Sequence, residues 1–251
     1  MFFTPHLKRK KGSNNKWQIN PFPNTDSNKQ YEGIFTGISV EVYAKVDIIA
    51  IYDNGFYGKG SQSRSIPKVV MQSQNSVAAM TKEHEVEETL SLSLEEAFFL
   101  SYYLKVLKIY DFDEKEMEYQ RFLQQSLNVN KLFVESFASY VYLKSKGWVV
   151  KSGLKFGGNY LIYRKGPRFY HASFVVVINT PSDTEHLNSK NIKGLQRIAE
   201  TSDKDVLILE VHKPSNFQFA SLESISTVEI SEMIIRRFNC TSYVQNQNTI
   251  K

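Results

Sequence analysis

The sequence contains very little cysteine and no long apolar run, and each absence excludes a class of protein. Cys240 is the only cysteine among 251 residues, so an intrachain disulfide is excluded and cysteine cannot supply a zinc cluster. The longest apolar stretches, such as Phe174–Ile178, fall far short of the roughly 20 residues that span a bilayer. The first residues also lack the apolar core of a secretory leader. These absences predict a soluble intracellular protein.

Acidic residues are missing from the first sixteen positions, and this accounts for the net charge. The chain has 31 Lys and Arg against 26 Asp and Glu, a formal charge of +5. Residues 1–16 alone carry five bases and no acid, so the remaining residues are neutral in sum. The basic cluster Lys8-Arg9-Lys10-Lys11 has three interpretations, which are a nuclear address, an RNA-contacting arm and a solvated terminus.

A longer acid-free stretch lies between Glu135 and Asp183. Its 47 residues include seven Lys or Arg and five of the 12 glycines, with aromatic residues between the bases. Aromatic faces stack on unpaired bases, cations neutralise phosphates and glycine allows close backbone approach, so this composition favours a site for single-stranded RNA. A solvated basic face is the alternative. Residues 83–118 carry eleven acids against three bases, a net −8, and predict a solvated or partner-docking face.

The same stretch limits the chemistry that it can perform. Nucleases that use Mg²⁺ hold the ion with carboxylates, and Asp205 and Glu210 lie only farther along the chain. We therefore expect no metal and no other cofactor. Metal-free RNA cleavage uses the 2′-hydroxyl as nucleophile, and it needs a base, an acid and a cation beside the phosphate. His171 titrates near neutrality and is a candidate; the alternative is an ordinary histidine at a strand end.

A glycine-rich loop at residues 55–65 contains Lys59 and several serines. Backbone N–H groups of such a loop can bind phosphate, but the spacing differs from that of nucleotide-binding loops. A structural turn is the favoured interpretation and a phosphate site is the alternative.

Apolar periodicity predicts the order of helices and strands. The capping box Ser93–Glu96 predicts a helix that continues to Leu107. Residues 33–51 predict two strands, or a strand and a short helix. The patterns further along the chain predict a helix at Phe133–Lys146 ended by Gly147, strands at Trp148–Lys151, Tyr160–Arg164, Ala172–Ile178 and Val206–Val211, a helix at Ile192–Glu200, and a strand with a second strand or helix at Val228–Phe238.

This order predicts an α+β (mixed α/β) fold in which helices flank a mixed sheet. We expect a flexible basic tail over residues 1–30 and a small amino-terminal α/β domain over residues 31–130. A carboxy-terminal domain with the mixed sheet is expected over residues 131–251.

Three segments resemble a known family. Residues 142–178, YLKSKGWVVKSGLKFGGNYLIYRKGPRFYHASFVVVI, resemble the catalytic carboxy-terminal domain of the tRNA-splicing endonucleases, the tRNA intron endonuclease family. GFYGKGSQSRS at 55–65 and LSLEEAFFLSYYL at 92–104 resemble the amino-terminal domain of the same family. Within that family the motifs are similar to those of the eukaryotic catalytic subunit that cuts the 5′ splice site.

The resemblance implies a Tyr–His–Lys triad. Tyr163 is implied as the general base toward the 2′-hydroxyl, His171 as the general acid, and Lys204 as the cation that stabilises the phosphorane, with Lys213 as a rival. The base role requires a lowered tyrosine pKa, which we expect from cations nearby. The expected RNA-binding residues are Lys155, Arg164, Lys165, Arg168, Arg237 and Phe238. The family often has an acid where this chain has Asn159, and Arg-Trp where it has Arg237-Phe238, which weakens the implied stacking clamp.

The resemblance also implies products, partners and location. The products would be a 2′,3′-cyclic phosphate and a 5′-hydroxyl on precursor tRNA, made by a heterotetramer of two catalytic and two structural subunits. The location would be the nucleus, or the mitochondrial outer surface in some lineages, with no membrane span. A non-catalytic structural and RNA-positioning subunit is one alternative, and a metal-dependent nuclease is another.

Overall fold

The computed structural model describes residues 7–11, 20–23, 30–63, 66–74, 88–181, 188–219 and 222–236. Within these ranges the amino-terminal half contains one five-stranded sheet and four helices. Its elements are β1 (Tyr31–Phe35), β2 (Val40–Val42), α1 (Lys45–Asp53), β3 (Lys59–Gly60), α2 (Lys68–Gln74), β4 (Leu90–Leu92), α3 (Leu94–Phe98), β5 (Leu107–Tyr110) and α4 (Tyr119–Val129). The strand order is β3-β4-β2-β1-β5, and only β1 and β5 pair in parallel.

The capping box at the start of α3 is confirmed, but the predicted helix end at Leu107 is wrong. Ser93 accepts the Glu96 backbone N–H and the Glu96 carboxylate accepts that of Ser93. After α3 the chain forms a π-helical turn over Phe99–Tyr103. Lys105 then adopts a left-handed φ of 58°, and β5 pairs with β1. Strand pairing with a distant segment therefore overrides the helical periodicity that continues into residue 107.

The carboxy-terminal half contains the second five-stranded sheet. Its elements are α5 (Phe133–Ser145), β6 (Val149–Ser152), β7 (Tyr160–Tyr163), β8 (Phe174–Asn179), α6 (Ser189–Thr201), β9 (Asp205–His212) and β10 (Glu229–Ile235). The strand order is β10-β9-β8-β7-β6, with β8 and β9 parallel and the other pairs antiparallel. The predicted α+β fold with a mixed sheet is confirmed, and Gly147 ends α5 with a φ of 78°.

Two apolar clusters cover the two faces of this second sheet. The larger cluster is shared by both halves of the chain, and Phe98 of α3 packs edge-on against Phe137 of α5 with ring centroids 4.7 Å apart. The smaller cluster lies beneath α6 and includes Leu195 and Ala199. Since both faces are covered, every residue of β8 is buried, which explains its unbroken apolar run. Within the described ranges no helix is long and apolar enough to cross a membrane.

Candidate active site

One edge of the second sheet brings together the three residues of the implied triad. Tyr163 is the last residue of β7, His171 lies three residues before β8, and Lys204 directly precedes β9. Because β7 is antiparallel to β8 while β8 and β9 are parallel, the end of β7 and the starts of β8 and β9 share an edge. Ser173 connects them, since its N–H donates to the Ile162 carbonyl at 2.9 Å and its own carbonyl accepts the Asp205 N–H at 3.2 Å.

The Lys204 ammonium group is held in place by its immediate surroundings. Its Nζ donates to the Ser202 carbonyl at 2.7 Å and lies 4.6 Å from the centroid of the Phe156 ring. Partial burial lowers the pKa of Lys204, with the Asp203 carboxylate opposing this shift and the Lys8 ammonium adding to it. Asp203 adopts a left-handed φ of 57°, which forms the tight turn that brings Lys204 to the edge of the sheet.

The exposed His171 side chain shares this edge with several cations. Partial desolvation lowers the pKa of His171, and the ammonium groups of Lys10, Lys8 and Lys204 lower it further, while Asp203 acts in the opposite direction. At neutral pH the imidazole is therefore mostly uncharged.

The Tyr163 phenol does not have the lowered pKa that the sequence led us to expect. Burial against the cluster beneath α6 raises the pKa of Tyr163. The neighbouring guanidinium groups are directed elsewhere, since Arg164 lies 5.8 Å from the Trp148 ring centroid and Arg168 donates to Asp53 at 2.8 Å. The expectation that these cations lower the tyrosine pKa is therefore wrong for this chain, and Tyr163 carries its proton at neutral pH.

The expected RNA-binding residues fall into different settings. Arg164 and Lys165 are exposed directly after Tyr163. Lys155 is also exposed, but it lies in the turn between β6 and β7, at the opposite end of β7 from Tyr163. Arg168 is half-buried in contact with Asp53. Arg237 and Phe238 lie outside the described residues.

The loop that carries His171 rests on the amino-terminal half of the chain. The Arg168 guanidinium lies 5.7 Å from the Phe56 ring centroid, and Phe169 packs edge-on against Phe56 at 6.3 Å. A Cβ at Gly166, which has a φ of 97°, would collide with the Phe56 ring. Residues 164–173, which we call the histidine loop, thus pack against the segment that follows α1.

The side chains that sequence reasoning offered as alternatives are bound to partners. The Lys213 ammonium is 2.6 Å from the Glu135 carboxylate, so it is engaged away from the edge of the sheet. The Asp205 carboxylate accepts three hydrogen bonds from Arg236, and Glu210 accepts the Ser231 hydroxyl at 3.1 Å. Among the described residues no group of three or more His, Cys, Asp or Glu side chains is arranged to hold a metal ion.

The glycine-rich loop binds carboxylates of its own chain. The Gly58 N–H donates to Glu96 at 3.1 Å, and the Ser63 N–H donates to Glu88 at 2.6 Å. The Lys151 ammonium, which reaches in from β6, donates to the Phe56 and Gly58 carbonyls. Internal groups thus occupy the positions at which a phosphate would bind, and the structural-turn interpretation of the described part of this loop is favoured.

Sequence reasoning missed the residues that flank His171 from outside the sheet. Leu7–Lys11 lies against residues 169–171, and the His171 N–H donates to the Lys8 carbonyl at 3.0 Å. The only signal was the cluster of bases itself, for which three interpretations remained open. This ordered contact differs from the flexible tail expected over residues 1–30.

Comparisons with known proteins give consistent results. A family model described as "tRNA intron endonuclease, N-terminal domain" matches residues 31–123, and one described as "tRNA intron endonuclease, catalytic C-terminal domain" matches residues 133–219. The chain is 34% identical over 164 residues to "tRNA-splicing endonuclease subunit Sen2" of Mus musculus, covering 62% of this chain and 35% of the mouse protein. It is 30% identical over 153 residues to "tRNA-splicing endonuclease subunit Sen2-1" of Arabidopsis thaliana, covering 60% and 64%.

An archaeal relative is matched over more of its own length. The chain is 26% identical over 167 residues to "tRNA-splicing endonuclease" of Saccharolobus islandicus (strain L.S.2.15 / Lassen #1), covering 66% of this chain and 81% of that protein. The matched part spans about a third of the mouse protein.

Proposed function

Since the chain belongs to the tRNA intron endonuclease family, we propose that it is a catalytic subunit that cleaves precursor tRNA at the 5′ splice site. The observation that carries the proposal is the placement of Tyr163, His171 and Lys204 at one edge of the second sheet, on three separate segments. The names of the vertebrate and plant relatives support a role in tRNA splicing.

The proposed reaction is an internal transesterification. The 2′-hydroxyl oxygen attacks the adjacent phosphorus, the bond from phosphorus to the 5′-oxygen breaks, and the products are a 2′,3′-cyclic phosphate and a 5′-hydroxyl. One group takes the 2′-proton, another gives a proton to the 5′-oxygen, and a cation stabilises the negative phosphorane. Lys204 is the cation, because its ammonium is fixed by Ser202 and Phe156.

The proton roles of the other two residues follow from the family resemblance. Tyr163 takes the 2′-proton and His171 protonates the leaving oxygen. Because burial raises the pKa of Tyr163, little phenolate exists at neutral pH. Between the pKa of His171 and that of Tyr163, the phenolate fraction rises with pH while the imidazolium fraction falls, so the rate of cleavage should be nearly independent of pH in that range. A phosphate bound beside His171 adds a negative charge, which raises the imidazole pKa. A larger fraction of the imidazole is then protonated, as a general acid requires.

The Asp205 carboxylate beside the site supports a reaction without metal. It accepts hydrogen bonds from the Arg236 guanidinium, and a divalent ion bound there would have to displace that group. We propose accordingly that the 2′-hydroxyl is activated by side chains alone.

The proposed assembly is a heterotetramer with a second catalytic subunit and two structural subunits. The chain should then co-purify with three other polypeptides, and an intact complex is the form in which activity should be measured.

The function is tested on that complex with an intron-containing precursor tRNA. We expect cleavage at the 5′ splice site, a 2′,3′-cyclic phosphate on the upstream product, and equal rates with and without EDTA. A complex that carries His171→Ala should assemble normally and leave the 5′ site uncut. Undiminished 5′ cleavage by that complex would instead assign the chain a structural role, and loss of cleavage in EDTA would overturn the metal-free mechanism.

A further inference from the structure

Residues Leu7–Lys11, which we call the basic arm, pair with the histidine loop as a short antiparallel ribbon. The Lys10 N–H donates to the Phe169 carbonyl at 2.8 Å and the His171 N–H donates to the Lys8 carbonyl at 3.0 Å. Arg9 and Tyr170 form the antiparallel bridge between these two hydrogen bonds. The backbone of the basic arm is thereby fixed beside the residue implied as the general acid.

The register of the ribbon determines which basic side chains face the site. Side chains alternate between the two faces of an extended segment, and residues directly opposite each other share a face. Lys8 is opposite His171, so Lys8 and Lys10 share the face of His171 while Arg9 lies on the other. The electrostatic effects agree with this register, because Lys8 and Lys10 both lower the pKa of His171.

The present partner of Lys8 is one that a phosphate can replace. Its Nζ lies 2.9 Å from the Asp203 carboxylate, and the two side chains remain 60% and 54% exposed. An ion pair this exposed to solvent contributes little to stability and is easily exchanged. A phosphodiester beside His171 offers the same ammonium an equivalent anion.

We propose that the basic arm is part of the RNA-binding site, with Lys8 and Lys10 holding the RNA backbone phosphates next to His171. This inference rests on the proposed function, because it requires an RNA strand at the edge of the second sheet. It assigns the cluster of bases a binding role within the site. If the arm were only a solvated terminus, substituting its lysines would leave the RNA affinity unchanged. If the arm blocked the site, the same substitutions would make RNA bind more tightly.

RNA affinity as a function of salt tests the inference without any cleavage. The probe is a 2′-O-methyl oligouridylate, which the reaction cannot cut, bound to the full chain. Each phosphate contact contributes about 0.7 to the slope of log affinity against log salt for single strands. Lys8→Ala with Lys10→Ala should reduce that slope by about 1.4, which corresponds to affinity lower by roughly 20-fold at 0.1 M salt. Lys11→Ala is the matched control and should change the slope by less than half of one contact.

A variant with the opposite sign strengthens the test. Asp203→Asn removes the competing carboxylate while asparagine tolerates the left-handed backbone at this position, so RNA should bind more tightly. An unchanged slope in the double variant, or tighter binding by it, would overturn the inference.

The titration of His171 provides a second measurement, which also requires no cleavage. Followed through its ring C–H resonance, the His171 pKa should rise in the Lys8→Ala, Lys10→Ala variant, because two nearby positive charges have been removed. It should fall in Asp203→Asn and stay constant in Lys11→Ala. If RNA affinity and titration respond while the complex never cuts precursor tRNA, the proposed function fails and the binding role of the basic arm stands. If cleavage occurs and neither measurement responds, the inference fails alone.

Discussion

The acid-rich and the acid-free regions of the chain use charge in opposite ways. In residues 88–118 several carboxylates are turned inward, and Glu96 and Asp111 are buried. Backbone N–H groups are the main partners of these carboxylates, as at Gly58 for Glu96 and at Lys115 for Asp111. In residues 136–182 the cations Arg164 and Lys165 remain exposed beside Tyr163. Charge that is compensated internally builds the fold, whereas charge left at the surface beside a reactive group is available to a substrate.

The largest expected effect lies on the acid-free side. His171→Ala should reduce the rate of 5′ cleavage by about 10²–10⁴-fold, because a positioned general acid or base contributes that much. The melting temperature of the complex should stay within the range of neutral surface substitutions, since the His171 side chain is exposed. Single-turnover rates with excess complex measure the effect.

A substrate with sulfur in place of the bridging 5′-oxygen reveals the role of the histidine. A thiolate leaves without being protonated, so this substrate should restore cleavage by His171→Ala and leave Tyr163→Phe defective. If the substrate instead restored cleavage by Tyr163→Phe, Tyr163 would be the general acid and His171 the general base. The neutral imidazole of His171 and the protonated phenol of Tyr163 are the protonation states that those exchanged roles require.

The largest effect on the acid-rich side is one of stability. Glu96→Ala removes the carboxylate 3.4 Å from the Lys151 ammonium and leaves that lysine buried without a counter-ion. Breaking such a pair costs about 3–5 kcal/mol in the free energy of unfolding. Chemical denaturation of the full chain measures the loss. Glu96→Gln keeps the oxygen that accepts the Gly58 N–H and should lose less, so equal losses in the two variants would contradict the importance of the pair.

One cation of the acid-free region, Lys144, is buried, so it does not follow the rule that the charges of this region remain exposed. The Lys144 ammonium lies 4.3 Å from the Tyr57 ring centroid, and burial lowers the pKa of Lys144 to about 8. Because the unfolded lysine keeps its proton up to about pH 10, stability should rise with pH from about 8 to 10. Lys144→Met should remove this rise and stabilise the chain at pH 7 by about 1–2 kcal/mol, the burial cost less the cation–π attraction.

Denaturation curves at several pH values test the Lys144 prediction. The matched control is Lys146→Met, because the Lys146 side chain is partly exposed and lies 2.9 Å from Glu232. That variant should gain no stability at pH 7. A Lys144→Met chain that is less stable than the parent would show that the aromatic contacts outweigh the cost of burial.

The smallest effect compares two exposed cations within the acid-free region. Arg164→Ala, next to Tyr163, should weaken RNA binding by one phosphate contact, a change of about 0.7 in the salt slope. Lys155→Ala, at the other end of β7, should change the slope less. A larger effect at Lys155 would place the RNA strand along the turn between β6 and β7, which reaches Lys204 through Phe156, instead of along Arg164.

The sequence predicts those features that depend on local chemistry. The capping box at Ser93 and the left-handed Gly147 need only neighbouring residues, and the run of β8 reports burial on both faces. The end of the helix after α3 could not be predicted, because β5 is fixed by pairing with β1. Backbone contacts likewise determine the position of the basic arm, and a backbone contact leaves no pattern in side chains.

The candidate site likewise has a part that the sequence predicts and a part that it does not. Sequence motifs identify the site residues, whereas their convergence at three strand ends depends on the strand order of the sheet, which the sequence alone did not supply. The pKa of Tyr163 depends on where Arg164 and Arg168 point, which spacing along the chain does not determine. The triad roles remain a prediction.

Support of the histidine loop by Asp53 and Phe56 has a consequence for dissecting the protein. The first segment matched by the family models ends at residue 123 and the second begins at residue 133. The histidine loop belongs to the second segment, yet it contacts Asp53 and Phe56 of the first segment and pairs with residues 7–11, which precede both. A carboxy-terminal fragment would lose both supports of its histidine, and also the part of the larger apolar cluster that the amino-terminal half contributes. The chemistry therefore belongs to no single exchangeable module, and a chimera would have to carry residues 7–11, 53–56 and 164–173 from one parent.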